Sequence, residues 1–111
     1  MSIRRAARDY GETMLRHVVM LRFSDDATDD VINAMVEGLN TMPDLVPEIR
    51  SYSIGRDVGL AEDNFQLVVV AEFDDEAGYQ AYATNPDHVA VIVERIKPFI
   101  AQRSAVQYVL S

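Results

Sequence analysis

The stretch Phe65 to Phe73 constrains this chain more than any other. Phe65, Leu67, Val69, Ala71 and Phe73 alternate onto one face of a strand, while Val68 and Val70 make the centre of the other face apolar too. A strand apolar on both faces needs cover on both sides. Leu15 to Phe23 makes the same demand: Leu15, His17, Val19, Leu21 and Phe23 share one face, and Val18 and Met20 sit on the other. Any fold built on these strands must therefore find two layers of cover.

The remaining elements supply one layer. Thr28 suits a helix N-cap, with Asp29 and Asp30 in the first turn; Val31, Ile32, Met35, Val36, Leu39 and Met42 then recur at helical spacing. Pro43 is expected to end that helix, leaving Met42 to Pro47 as an irregular connection. Ile49 to Arg56 reads as a second strand, with Tyr52 and Ile54 on one face, and 59–64 as a loop. Asp74-Asp75-Glu76 opens a second helical region that runs through Tyr79 and Tyr82 to a break at Asn85-Pro86. A further piece places Val89, Ile92, Val93, Ile96, Phe99 and Ile100 on its apolar face, with Pro98 distorting or ending it, and Ser104 to Leu110 is the closing strand. The prefix 1–14 reads as a mobile arm, and 15–111 as one domain.

The order β-α-β-β-α-β predicts an α+β, ferredoxin-like fold: a four-stranded antiparallel sheet with helices on one face. Nothing is left in the chain to cover the other face. An exposed apolar face of that size is an association surface, and a second copy packed about a two-fold axis is the simplest cover. The expected assembly is a homodimer through the open sheet face, a dimeric α/β barrel.

Composition removes several function classes. With 18 acidic and 10 basic residues the formal charge is −8, the wrong sign for nucleic acid or an anionic membrane surface. The absence of cysteine excludes disulfides and thiolate chemistry, and fits a cytoplasmic location. No apolar run approaches the roughly 20 residues needed to cross a bilayer. No cofactor is implied. Asp25, Asp26, Asp29 and Asp30 read as a solvated helix start ahead of a metal site, so no metal is assigned.

The chemistry-bearing residues are few. There are two histidines. In Tyr82-Ala83-Thr84-Asn85-Pro86-Asp87-His88, Asn85 can cap a helix and Pro86 suits its first position, which places His88 in the first turn. A helix N-terminus lowers a histidine's pKa, so the ring should be neutral near pH 7 and able to act as acid, base or ligand-holding group. The alternative is a first-turn residue hydrogen-bonded to its neighbours. His17, mid-stripe, reads as a core histidine satisfied by a neighbour.

With these elements in place, the chain resembles the stress-responsive dimeric α/β-barrel (Dabb) family. The resemblance rests on His17-Val18-Val19-Met20-Leu21-Arg22-Phe23, Pro47-Glu48-Ile49, Val70-Ala71-Glu72-Phe73, the stretch Tyr82 to His88, and Val106-Gln107-Tyr108, across residues 15 to 111. It implies a ferredoxin-like fold and dimers packed sheet to sheet. The family includes a plant polyketide cyclase and stress proteins without known catalysis. By resemblance to that cyclase, His88 is a candidate general base, Tyr82 its assistant, and His17 a pocket residue. Asn85 departs from the pattern, where the cyclase has histidine, as does Leu39, near a pocket tyrosine. The readings carried forward are a protein binding a small, largely apolar or aromatic molecule between sheet and helices through His17, His88 and Tyr82; a cyclase-like enzyme using His88 and Tyr82; and a monooxygenase-like activity on the same dimeric fold.

Overall fold

The computed structural model describes residues 14–110. Its strands are β1 (Leu15–Phe23), β2 (Ile49–Arg56), β3 (Leu67–Phe73) and β4 (Ile100–Val109). Its helices are α1 (Asp29–Asn40), α2 (Met42–Leu45), α3 (Glu76–Thr84) and α4 (Pro86–Val91), the last continuing through a π turn at Ile92–Ile96 and a 3-10 turn at Lys97–Phe99. The four strands form one sheet in the order β2-β3-β1-β4, every neighbouring pair antiparallel. This is the expected ferredoxin-like arrangement. The expected mobile arm lies almost wholly outside the described residues. Met14, assigned to it, is already tied to the sheet: its carbonyl accepts from the Leu110 amide at 2.8 Å.

Alternation in β1 and β3 decides which side chains meet the helices. Val19, Leu21, Phe23, Leu67 and Val69 pack with Ile32, Met35 and Leu39 of α1 and with Ile96. Ala71 and Phe73 continue the layer with Met42, Val46 and Tyr82. Gly38 lets the second helical region come close, since a Cβ there would lie 3.1 Å from the Arg95 side chain and 3.2 Å from that of Val91. The caps follow the sequence: Thr28, Asp75 and Asn85 each accept from a backbone amide in the first turn of their helix.

Three expectations about the elements need correction. Pro43 does not leave an irregular connection but starts α2, because a missing N–H costs nothing in a helix's first turn. The face of the second helical region is Val91, Ile92 and Ile96, not Val89 and Val93, which are 43% and 52% exposed. The π turn widens the helix just there and rotates the face. Two strand boundaries also move. β3 starts at Leu67, leaving Phe65 beside the strand under the Arg22 guanidinium at 4.6 Å. β4 begins at Ile100, four residues before the expected start, and ends before Leu110.

The outer sheet face carries Val18 registered between Val70 and Val106, with Met20 between Val68 and Ser104. Beside this apolar band, Arg16 bonds both Glu72 and Tyr108, its neighbours in the adjacent strands. Val106 is 54% exposed.

Candidate functional site

The site is built between the helix-facing side of the sheet and the second helical region. His17, on that side of β1, is buried. Its register partner on β4 is Gln107, whose side-chain nitrogen lies 2.8 Å from His17 Nδ1. An amide nitrogen donates, so Nδ1 accepts and the ring proton sits on Nε2. Burial lowers the His17 pKa to about 4, helped by the positive charge of Arg103 and by His88. His17 is therefore a neutral imidazole throughout the physiological range.

Tyr82, at the end of α3, is buried, and its ring lies against His88 with centroids 4.0 Å apart. The two rings pack face against face at a tilt of 35°. The Tyr82 hydroxyl pairs instead with that of Tyr52 on β2 at 3.2 Å. Burial pushes the Tyr82 hydroxyl far above its ordinary pKa, and that of Tyr52 upward too, so both stay protonated. His17 closes the cluster, its ring centroid 6.2 Å from Tyr82 and 5.0 Å from Tyr79.

His88 is half-buried in the first turn of α4, with the Asn85 cap in place as expected. Its pKa is lowered, but burial is the leading cause rather than the helix terminus; the Ala83 backbone pulls the other way. Its Nδ1 is fully buried with no hydrogen-bond partner among the described residues.

A cavity of about 390 Å³ brings the three predicted residues together. His17, Tyr82 and His88 line it, with Val19, Leu21, Val69, Ile92 and Ile96 as apolar wall. Such a volume and lining fit a small-ligand site: mostly apolar, with a few converging polar groups. It opens towards solvent at Val93, Lys97 and the exposed start of β4, including Arg103. Among the described residues no group of three or more His, Asp or Glu side chains is placed to hold a metal ion; Asp29 is engaged with Arg56 at 3.1 Å.

Reading by residue type missed Tyr52, Gln107 and Arg103. Tyr52 and Gln107 each sit on a stripe assigned to the correct strand, and only the register shows which residue they face. Arg103 lay outside the expected strand, so alternation assigned it no face. In the structure it is registered with buried Leu21 and so belongs to the helix-facing side.

A ferredoxin-like sheet with a histidine- and tyrosine-lined cavity under its helices is the domain type seen here. The pattern of the stress responsive A/B barrel domain family matches residues 15–110, and the chain belongs to that family. A curated relative from Arabidopsis thaliana, stress-response A/B barrel domain-containing protein DABB1, is 33% identical over 85 residues. Those residues are 74% of this chain but 40% of that protein, so the chain spans about two fifths of that relative's length. A dimeric ferredoxin-like protein of unknown function from Thermobifida fusca superposes with a TM-score of 0.83 at 34% identity, covering 96% of this chain and 100% of the other. The hydroxynitrile lyase of Passiflora edulis has a TM-score of 0.80 at 17% identity, covering 90% and 95%, a likeness of fold alone.

Proposed function

We propose that this protein is a homodimer in which each protomer holds a small, largely apolar molecule between sheet and helices. The observation that carries the reading is the cavity where His17, Tyr82 and His88 meet an apolar wall. Neutral imidazoles and protonated tyrosines make weakly polar walls, suited to an uncharged or aromatic body rather than to a multiply charged one. The dimeric half of the reading rests on the apolar band of half-buried Val18 and Val70 with exposed Val106 and Met20, and on the dimeric Thermobifida fusca relative. With only two histidines, labelled imidazole nitrogens report on the cavity directly. In NMR titrations with aromatic and polyketide-like compounds, one compound should shift His17 and His88 together. Silence of both signals across the panel would mean a structural cluster and no ligand site.

A second reading has a specific observation behind it. His88 is neutral near pH 7, carries a buried Nδ1 with no partner among the described residues, and packs against the Tyr82 ring beside the cavity. Those are the properties of a general base. In that reading the imidazole takes a proton from an activated carbon acid, and Tyr82 stays protonated and able to donate to the oxygen that gains charge. Ring closure of a polyketide-like substrate is the matching reaction class. Turnover of such a substrate should fall by about 10²–10⁴-fold in His88→Gln. Unchanged turnover in that variant would remove His88 from the chemistry.

A further inference from the structure

The cavity's charge is the opposite of the chain's. The sequence has 18 acidic residues against 10 basic ones, yet no aspartate or glutamate lines the cavity, while Lys97 and Arg103 do. Arg103 stands apart from the other arginines of the described residues. Arg16, Arg50 and Arg56 are paired with carboxylates, and Arg22 and Arg95 donate to backbone carbonyls. Arg103 has no hydrogen bond or ion pair among the described residues. It nevertheless faces the helix side, in register with Leu21, and its charge is felt at both His17 and Tyr82. A guanidinium on the inner stripe of a strand, at the mouth of a mostly apolar cavity and without a carboxylate partner among the described residues, is placed to receive an anion.

We infer that the ligand is an amphipathic monocarboxylate: its apolar body lies against Val19, Leu21, Val69, Ile92 and Ile96, and its carboxylate is held at the mouth by Arg103 with Lys97 beside it. This rests on the cavity being a ligand site, and adds the charge and orientation of what enters. The geometry suits the energetics. Arg103 is exposed, so a carboxylate beside it stays partly hydrated and its desolvation cost is small. A guanidinium can meet a carboxylate through two parallel N–H donors, stronger and more directional than a neutral contact. A competing role for Arg103 exists, because an inward-pointing charge on an edge strand also discourages edge-to-edge pairing.

The test uses octanoate and 1-octanol, matched in chain length and different in charge. Both are titrated into the full chain while the His17 and His88 imidazole signals are followed. Octanoate should bind about tenfold more tightly than octanol, the range of a charge-assisted hydrogen bond. In Arg103→Met that preference should vanish through weaker octanoate binding, with octanol unchanged; Arg103→Lys should keep most of it. Equal binding of the two probes to the unmodified chain, or a preference that survives Arg103→Met, overturns the inference and leaves the ligand site standing. If neither probe moves the imidazoles, this inference falls, and the aromatic and polyketide-like panel decides whether the ligand site stands. Should Arg103→Met fail to fold, the octanoate-to-octanol ratio and the Arg103→Lys variant still decide.

Discussion

His17 couples the stability of this domain to pH. Its folded pKa is about 4, against an ordinary value of 6.5. The unfolded chain therefore binds a proton more readily, and the stability His17 contributes is present above about pH 6.5 and lost as the pH falls towards 4. His88, also lowered by burial, acts in the same direction. Urea midpoints measured from pH 7 to pH 4 should fall, and His17→Gln should flatten that slope. A slope as steep as the unmodified protein's would show that His17 does not titrate as described. Gln107→Leu tests the other half of the pair. It leaves His17 Nδ1 without its donor and should cost about 1 kcal/mol in urea unfolding. At this scale residue types could be read from the sequence and partners could not. Burial of His17 follows from its place in an apolar stripe, whereas the Gln107 contact depends on a register that pairs residues 90 positions apart.

The elements divide into those with a strong local period and those without. Alternation along β1 and β3 is nearly uninterrupted, and capping residues mark the starts of α1, α3 and α4, so these elements were legible. The segment Ile92 to Arg103 was not. A π turn, a 3-10 turn and a register shift at Arg22/Phe23 follow one another there, and none has the period of a straight helix or strand. That is why β4 was expected to start late and Arg103 was missed. The stretch matters because it forms one side of the cavity. Its entry is set by the Asn85 cap, which accepts from the Asp87 amide at 2.9 Å. Asn85→Ala should lower stability by about 1 kcal/mol in thermal or urea unfolding. It should also disturb the His88 imidazole signal more than that of His17, since His88 sits in the capped turn. Equal disturbance of the two would mean that α4 does not hold His88 independently.

For the whole molecule, the outer sheet face gives the most direct test of assembly. Val18, Val70 and Val106 form its apolar centre, and Met20 extends it. Lysine at Val106 would place a charge in the middle of the proposed sheet-to-sheet interface while remaining compatible with an exposed strand position in the lone protomer. Val106→Lys should therefore yield a folded monomer by light scattering, with the circular dichroism spectrum retained. A dimer that persists in that variant would place the interface elsewhere. The inner layer makes the converse prediction. Met35, wholly buried between α1 and the sheet, should cost about 2–5 kcal/mol on truncation to alanine without changing the oligomeric state of the folded fraction.

The cavity mouth runs along the start of an edge strand, with Val93 and Lys97 of the helical region as its other lip. A molecule inside can therefore reach solvent without any helix parting from the sheet. The motions that matter at the mouth are side-chain rotations of residues such as Lys97, Gln102 and Arg103, which take picoseconds to nanoseconds on exposed surfaces. For the proposed ligand, release then asks no more of the fold than these rotations and the breaking of its own contacts.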